Sequence, residues 1–243
     1  MYNSAKYFVK NLLPKRFLFK NEVFLRKLLL FKYRGSIYQC NICHTSLKNF
    51  IPLSGNDLLC PACGSRCRTR RLYKTLQNKE MLQGKILDFS PSRSLYRVLK
   101  KNRNINYFPT DYADEFIADY HYDITNIPVE DNFFDLILCY HILEHIEDDQ
   151  QAMSELYRVL KPNSTCFIQT PFRDGNIYED LSITTEAERL KAFGQKDHVR
   201  IYSINGLKQR LENAGFNVNV LTFTEKEGHY NGFKNETVLK AIK

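Results

Sequence analysis

Residues 134–146 read FDLILCYHILEHI, an apolar run that breaks into a polar turn after Tyr140 and His141. The run 134–139 is short, strongly apolar and free of Gly and Pro, the pattern of a strand covered on both faces. Just downstream, 149–160 places Met153, Leu156, Tyr157 and Leu160 on one helical face. Lys161-Pro162-Asn163 is expected to stop that helix, and 165–169 to be the next strand. Moving outward, 85–89 reads as a first strand, 90–92 as a turn and 95–101 as a helix. A second strand is expected at 105–110 and a third at 121–124. Towards the other end, 203–213 reads as a helix closed by Ala214-Gly215, followed by strands at 218–223 and 237–241. Short apolar runs alternating with amphipathic stretches predict an α/β domain built on a mostly parallel sheet.

Such sheets bind ligands outside the carboxyl ends of their strands. Asp88, Asp111 and Asp123 are expected at three neighbouring strand ends. Asp111 follows Asp88 by about twenty residues, the separation at which an acid takes ribose hydroxyls. Each acid alone reads as a cap or turn residue; the set of three suits a nucleoside cofactor.

The run 134–146, with Asp148-Asp149 and the stretch ELYRVLKP at 155–162, resembles the type 11 group of class I S-adenosylmethionine-dependent methyltransferases. Residues 202–207 and 211–216 are similar to that group's late helix and strand. The resemblance implies a Rossmann-like sheet, mostly parallel with an antiparallel last strand, over 80–243. It also implies S-adenosylmethionine as cofactor. By position, Asp88, Phe89, Ser90 and Ser92 would line its methionine end. Asp111, with Tyr112 beside it, would take the ribose; Asp123 and Ile124 would face the adenine. Tyr140 and His141 would lie below the methyl group. One departure stands out: serine occupies 90, 92 and 94, where the family carries glycine. Serine is small and can hydrogen-bond a carboxylate, so a working variant of the loop is expected, with Arg93 as a further carboxylate partner. A non-catalytic scaffold is the alternative.

Four of the seven cysteines form two C-x-x-C pairs, Cys40/Cys43 and Cys60/Cys63. Each pair points two thiolates at one ion, and two pairs complete a closed tetrahedron, which predicts structural zinc in a ribbon over 37–72. Gly64 supplies the tight turn. His44 and Cys67 lie close by and read as bystanders. Arg66, Arg68, Arg70 and Arg71 read as the solvated start of a helix over 69–78, with a phosphate patch as the alternative.

The net charge of +8 is concentrated: residues 1–34 hold nine basic residues and one acidic, and the remainder is neutral. Nucleic acid is therefore disfavoured as the substrate. Residues 1–36 read as a basic amphipathic segment split at Pro14, docked on its own domain with a solvated basic face; peripheral contact with an anionic membrane is the alternative. Neither a secretory leader nor a membrane span is legible, so a cytoplasmic protein is expected.

Methyl transfer needs alignment of acceptor and methyl group, and a hydroxyl acceptor benefits from a base. His141 and His198 are the catalytic candidates, their ordinary pKa being near neutrality. Glu144 and His145 read as braces of their loop, with His141-x-x-Glu144-His145 as an alternative divalent-metal set. Residues 172–202 are too long for a plain connection and read as a lid over the acceptor. Within it, Arg200 is either an anion-binding residue or a stitch that holds the lid. The neutral catalytic part and polar lid favour a small-molecule or surface-glycan-precursor acceptor; an RNA or protein acceptor docked through the ribbon is the alternative.

Overall fold

The computed structural model describes residues 15–78 and 81–243. The chain divides into two compact units. The first comprises the described residues up to Lys74 together with Thr224–Lys234. It opens with helix α1 (Lys15–Leu30), followed by two small antiparallel ribbons. These pair β1 (Arg34–Gln39) with β2 (Ser46–Leu47), and β3 (Ile51–Leu53) with β4 (Asp57–Leu59). Helix α2 (Cys67–Asn78) begins in this unit. The part of the expected amphipathic segment before residue 15 lies outside the described residues. In α1, Arg26 pairs with Glu22 at 2.9 Å and lies over Gly64, where an added Cβ would meet its guanidinium. The outward face carries apolar side chains as well as basic ones. Phe24, Leu28 and Phe31 are 64%, 68% and 88% exposed beside Lys27 and Lys32.

Arg70 and Arg71 correct the reading of a solvated basic patch. Both are buried, and a guanidinium's rigid fork of five donors suits a cluster of orphan carbonyls. Arg70 donates to the carbonyls of Leu58, Ser65, Asn231 and Gly232 and stacks 4.1 Å over Phe50. Arg71 donates to the carbonyls of Thr224 and Lys234. These bonds tie Thr224–Lys234 into the first unit, whereas the sequence reading carries the second domain unbroken to residue 243.

The second unit holds β5 (Gly84–Phe89), α3 (Arg93–Leu99), β6 (Ile105–Thr110), β7 (Phe134–Tyr140), α4 (Asp149–Val159) and β8 (Leu160–Gln169). The 172–202 insertion follows, with β9 (Tyr178–Glu179), α5 (Glu186–Phe193) and β10 (Arg200–Ile201). Then come α6 (Ile204–Asn213), β11 (Asn217–Phe223) and β12 (Glu236–Ile242). Six strands form one sheet in the order β11-β12-β8-β7-β5-β6. Neighbours from β8 to β6 are parallel, and β12 runs antiparallel between β8 and β11. The sheet is thus Rossmann-like, mostly parallel with an antiparallel last strand.

Alternation along the strands sets the layers. Leu87, Phe89, Ile137, Cys139 and Ile168 point to one face. There they meet Met153 and Leu156 of α4 and Leu207 and Leu211 of α6 in one buried cluster. Burying each such side chain contributes about 1.5–3 kcal/mol, so this face anchors the sheet. Two local expectations need correction. Helix α4 stops at Val159, just before Lys161-Pro162-Asn163 as expected, but the next strand begins at Leu160 rather than at 165. Pairing slips between Phe134↔Leu160 and Leu136↔Thr165, so the Pro162 region bulges with Asn163 at φ 61°. The third strand expected at 121–124 is absent as well; a single bridge joins Thr110 to Tyr120. The Thr110 hydroxyl donates to the Tyr120 carbonyl and accepts from the Tyr122 amide, taking the bonds a ladder would use. Asp123 then closes a turn by accepting from the Thr125 amide.

Candidate functional site

The two cysteine knuckles repeat one backbone design. Cys40 and Cys60 each accept, at the carbonyl, from the amide four residues on, His44 at 2.8 Å and Gly64 at 3.0 Å. Those two residues carry φ 56° and 78°, left-handed positions that Gly64 fills without strain. The Sγ atoms of Cys40 and Cys63 lie 3.7 Å apart, and those of Cys43 and Cys60 3.8 Å. A tetrahedron with Zn–S of about 2.3 Å has edges of about 3.8 Å, so the donor set fits zinc with no open position. All four ligand atoms lie within 4.8 Å of one another. Cys67 stands outside the set. It accepts from the Leu58 amide, and burial pushes its thiol up to about 12 against the opposing pull of Arg70. His44 is exposed and lies outside the set too.

At the carboxyl ends of β5 and β6, Ser90 adopts φ 45°, the left-handed region in which glycine is ordinarily found. Its hydroxyl donates to Asp111 Oδ1 at 2.6 Å, and its amide donates to the Thr110 carbonyl. Asp111 Oδ2 accepts from the amides of Glu115 and Phe116. A carboxylate accepts about four hydrogen bonds, so three donors leave room for one ribose hydroxyl. Ser92 caps α3 by accepting from the Leu95 amide, and Tyr112 is 72% exposed beside Asp111. This part of the set fits a nucleoside cofactor. The other expected residues sit differently. Asp88 is buried and accepts from the Tyr107 hydroxyl at 2.7 Å. Burial pushes its carboxyl up to about 7, with the Tyr107 bond pulling the other way. Phe89 and Ile124 put their side chains into the core, leaving main chain to face a ligand. Asp123 is committed to its turn rather than to a strand end.

At the carboxyl end of β7, Tyr140 is half-buried and His141 takes φ 57°, its amide donating to the Gln169 carbonyl. A left-handed histidine at a strand end is the kind of strain that gathers at functional sites. The 3-10 turn Leu143–His145 follows. Glu144 is 1% exposed, and among the described residues neither carboxylate oxygen has a hydrogen-bond partner. His141 Nδ1 lies 3.2 Å from Glu144 Oε1. Burial pushes the Glu144 carboxyl up, but the adjacent imidazole outweighs it and leaves the group below the usual carboxylate range. The 172–202 insertion brings His198 here, its ring 4.7 Å from that of His145 in an edge-on contact. Burial, reinforced by His145, holds His198 below its ordinary value. Glu144, Pro171, Phe193, Gly194, Gln195, His198, Arg200 and Ile201 line a cavity of about 150 Å³. A cavity of about 640 Å³ sits instead at the amino ends of β5 and β6, the edge at which such sheets do not bind ligands.

Arg200 is a stitch in this structure. It is buried and donates to the carbonyls of Leu143, Ile146 and Glu147 and to Glu179. Tyr202 donates to buried Asp149, which also accepts from Arg210 at 2.6 Å. Asp149 and Glu179 escape a reading of the sequence alone. Asp149 reads there as the acidic start of a helix, and its partners lie more than fifty residues away. Tyr107, the partner of Asp88, is hidden in the same way inside an apolar strand.

A model of a methyltransferase domain matches residues 66–220. A 2-phytyl-1,4-naphtoquinone methyltransferase of Nostoc punctiforme is 30% identical over 123 residues, 51% of this chain and 50% of that protein. A probable S-adenosylmethionine-dependent methyltransferase of Mycolicibacterium smegmatis is 31% identical over 101 residues, 40% of this chain and 34% of that protein. The alignments thus span half or less of these curated relatives. Among solved structures, an S-adenosylmethionine-dependent methyltransferase from Archaeoglobus fulgidus superposes with a TM-score of 0.51 at 16% identity. That match covers 74% of this chain and 95% of the other. The [4+2]-cyclase SpnF superposes with the same TM-score at 16% identity, covering 71% of this chain and 80% of the other. At such identities the likeness is one of fold.

Proposed function

The chain belongs to the methyltransferase-domain family, and on that premise we propose that it methylates an oxygen of a small molecule or surface-glycan precursor, using S-adenosylmethionine. The observation that carries the reading is the Ser90–Asp111 pair. The serine loop keeps the left-handed backbone that glycine would supply, and its hydroxyl fixes the acid at the next strand end. Ser90 and Ser92 hold the methionine end, with the main chain of Phe89. Asp111 and Tyr112 hold the ribose, and the main chain around Asp123 and Ile124 borders the adenine. Asp88 supports the loop from beneath through Tyr107. When bound, S-adenosylmethionine supplies a methyl group on a positively charged sulfur, open to in-line displacement. Tyr140 and His141, at the end of β7, border the reacting atoms, and His141 takes the proton of the acceptor hydroxyl. The lid keeps water out, with Arg200 and Tyr202 fixing its root.

Calorimetric titration with S-adenosylhomocysteine tests this reading. Micromolar binding that Asp111→Ala abolishes is the expected outcome. Folded protein that binds none would return the chain to the scaffold alternative.

A second proposal concerns α1. Val23, Phe24, Leu28 and Phe31 form an exposed apolar strip beside Lys27 and Lys32. Such a face suits the surface of an anionic membrane.

A further inference from the structure

Glu144 is an anomaly that methyl transfer leaves unexplained. The carboxylate is 1% exposed and, among the described residues, neither oxygen is hydrogen-bonded; His141 Nδ1 approaches Oε1 at 3.2 Å, which leaves Oε2 buried with nothing against it, a costly arrangement. His145 follows it on the same 3-10 turn, and His198 arrives from the lid. Each of the three offers one ligand atom, and those atoms lie within 4.8 Å of one another. The backbone holds the arrangement on both sides, because the Val199 amide donates to the Glu144 carbonyl at 2.9 Å. Arg200 pins the Leu143 carbonyl of the turn, and those of Ile146 and Glu147 just after it, from the same segment.

We propose that Glu144, His145 and His198 form a divalent transition-metal site that clasps the lid to the end of β7. The orientation of His145 supports it. Its Nδ1 lies 3.3 Å from Asp197 Oδ2, which leaves Nε2 as the nitrogen available to ligate. A carboxylate on the outer nitrogen of a metal-binding imidazole is the usual supporting partner. Two imidazoles and one carboxylate favour zinc, cobalt or ferrous iron over magnesium, which prefers oxygen ligands. Three protein ligands also leave coordination positions open, and Glu144 and His198 line the 150 Å³ cavity. On the methyl-transfer reading, which this step rests on, such a metal would supply Lewis-acid activation to an acceptor hydroxyl in the cavity, whose proton would pass to His141. The structure thus replaces His141 with His198 in the set that sequence spacing offers. His141 Nδ1 stays against Glu144 Oε1, where it braces the carboxylate.

The test uses the full chain carrying one zinc per chain, titrated with cobalt(II) and followed by calorimetry and visible absorption. The expected result is one further equivalent bound at micromolar concentration, with the weak bands of nitrogen and oxygen ligation and no thiolate charge transfer. Glu144→Gln and His198→Ala should each weaken it about tenfold or more, and Cys43→Ser should leave it in place. A wild-type chain that takes up no cobalt beyond the cysteine site would overturn the proposal. So would undiminished uptake by both variants. No cofactor or acceptor enters the titration, so its failure is separable from failure of the methyl-transfer reading. Thermal melts of the variants identify any loss that comes from misfolding.

Discussion

Asp88 and Asp111 sit one strand apart and meet opposite fates. Asp111 gathers three donors; Asp88 has Tyr107 and is otherwise enclosed. Burial therefore raises the Asp88 carboxyl from 3.8 to about 7, opposed by the Tyr107 bond. A carboxyl whose folded value is raised holds its proton more tightly in the native state. The stability it contributes is complete below its ordinary value and disappears as pH climbs through about 7. Each tenfold gain in proton affinity is about 1.4 kcal/mol, so that contribution is about 4 kcal/mol. Asp88→Asn keeps an acceptor for Tyr107 and removes the charge. The stability difference between variant and wild type should thus move by about 4 kcal/mol in the variant's favour between pH 4 and pH 8. Urea denaturation at both values checks it; a difference that does not change with pH would show that Asp88 titrates normally.

At the scale of elements, the bonds at the root of the 172–202 insertion decide between the two roles that the sequence leaves open for Arg200. Its guanidinium is already engaged by Leu143, Ile146, Glu147 and Glu179. Arg200→Met would leave buried carbonyls without donors, each costing about 1–3 kcal/mol, for a total loss of about 3 kcal/mol after relaxation. Unfolding midpoints measure this directly. Unchanged stability with weakened acceptor binding would restore the anion-binding role. Most of the framework is legible in the sequence, because β5, β6, β7, α4, α6, β11 and β12 each carry a period or an apolar run that one residue cannot disguise. The 121–124 segment has strand-like residues too, yet the Thr110 side chain takes its backbone bonds, a competition that composition does not reveal. The cysteine site is legible for the opposite reason: two C-x-x-C pairs admit few geometries. The lid cluster is half legible, since 141–145 advertises its groups while His198 joins them only through tertiary bonds.

At the scale of the whole molecule, charge and apolar exposure coincide at one end of the chain. The excess of +8 belongs to the first 34 residues, and among the described ones α1 turns Val23, Phe24, Lys27 and Leu28 outward. Those positions fall within one helical face, with Phe31 and Lys32 continuing it. No helix among the described residues is long and apolar enough to cross a membrane. What this face offers is shallow burial, with aromatic and leucine side chains entering the headgroup boundary and lysines meeting anionic lipid. Each basic residue near such a surface contributes about 1 kcal/mol, and that part weakens with salt while the apolar part does not. The two contributions can therefore be separated. The full chain should sediment with vesicles containing phosphatidylserine and much less with neutral ones, and raised salt should release part of it. Phe24→Glu with Leu28→Glu should abolish sedimentation at every salt concentration, because it removes apolar insertion and adds repulsion together. If that variant sediments like wild type, α1 is not the membrane-facing element. Full release of wild type by salt alone would mean that the basic residues act without insertion, and Phe24 and Leu28 would then need another partner.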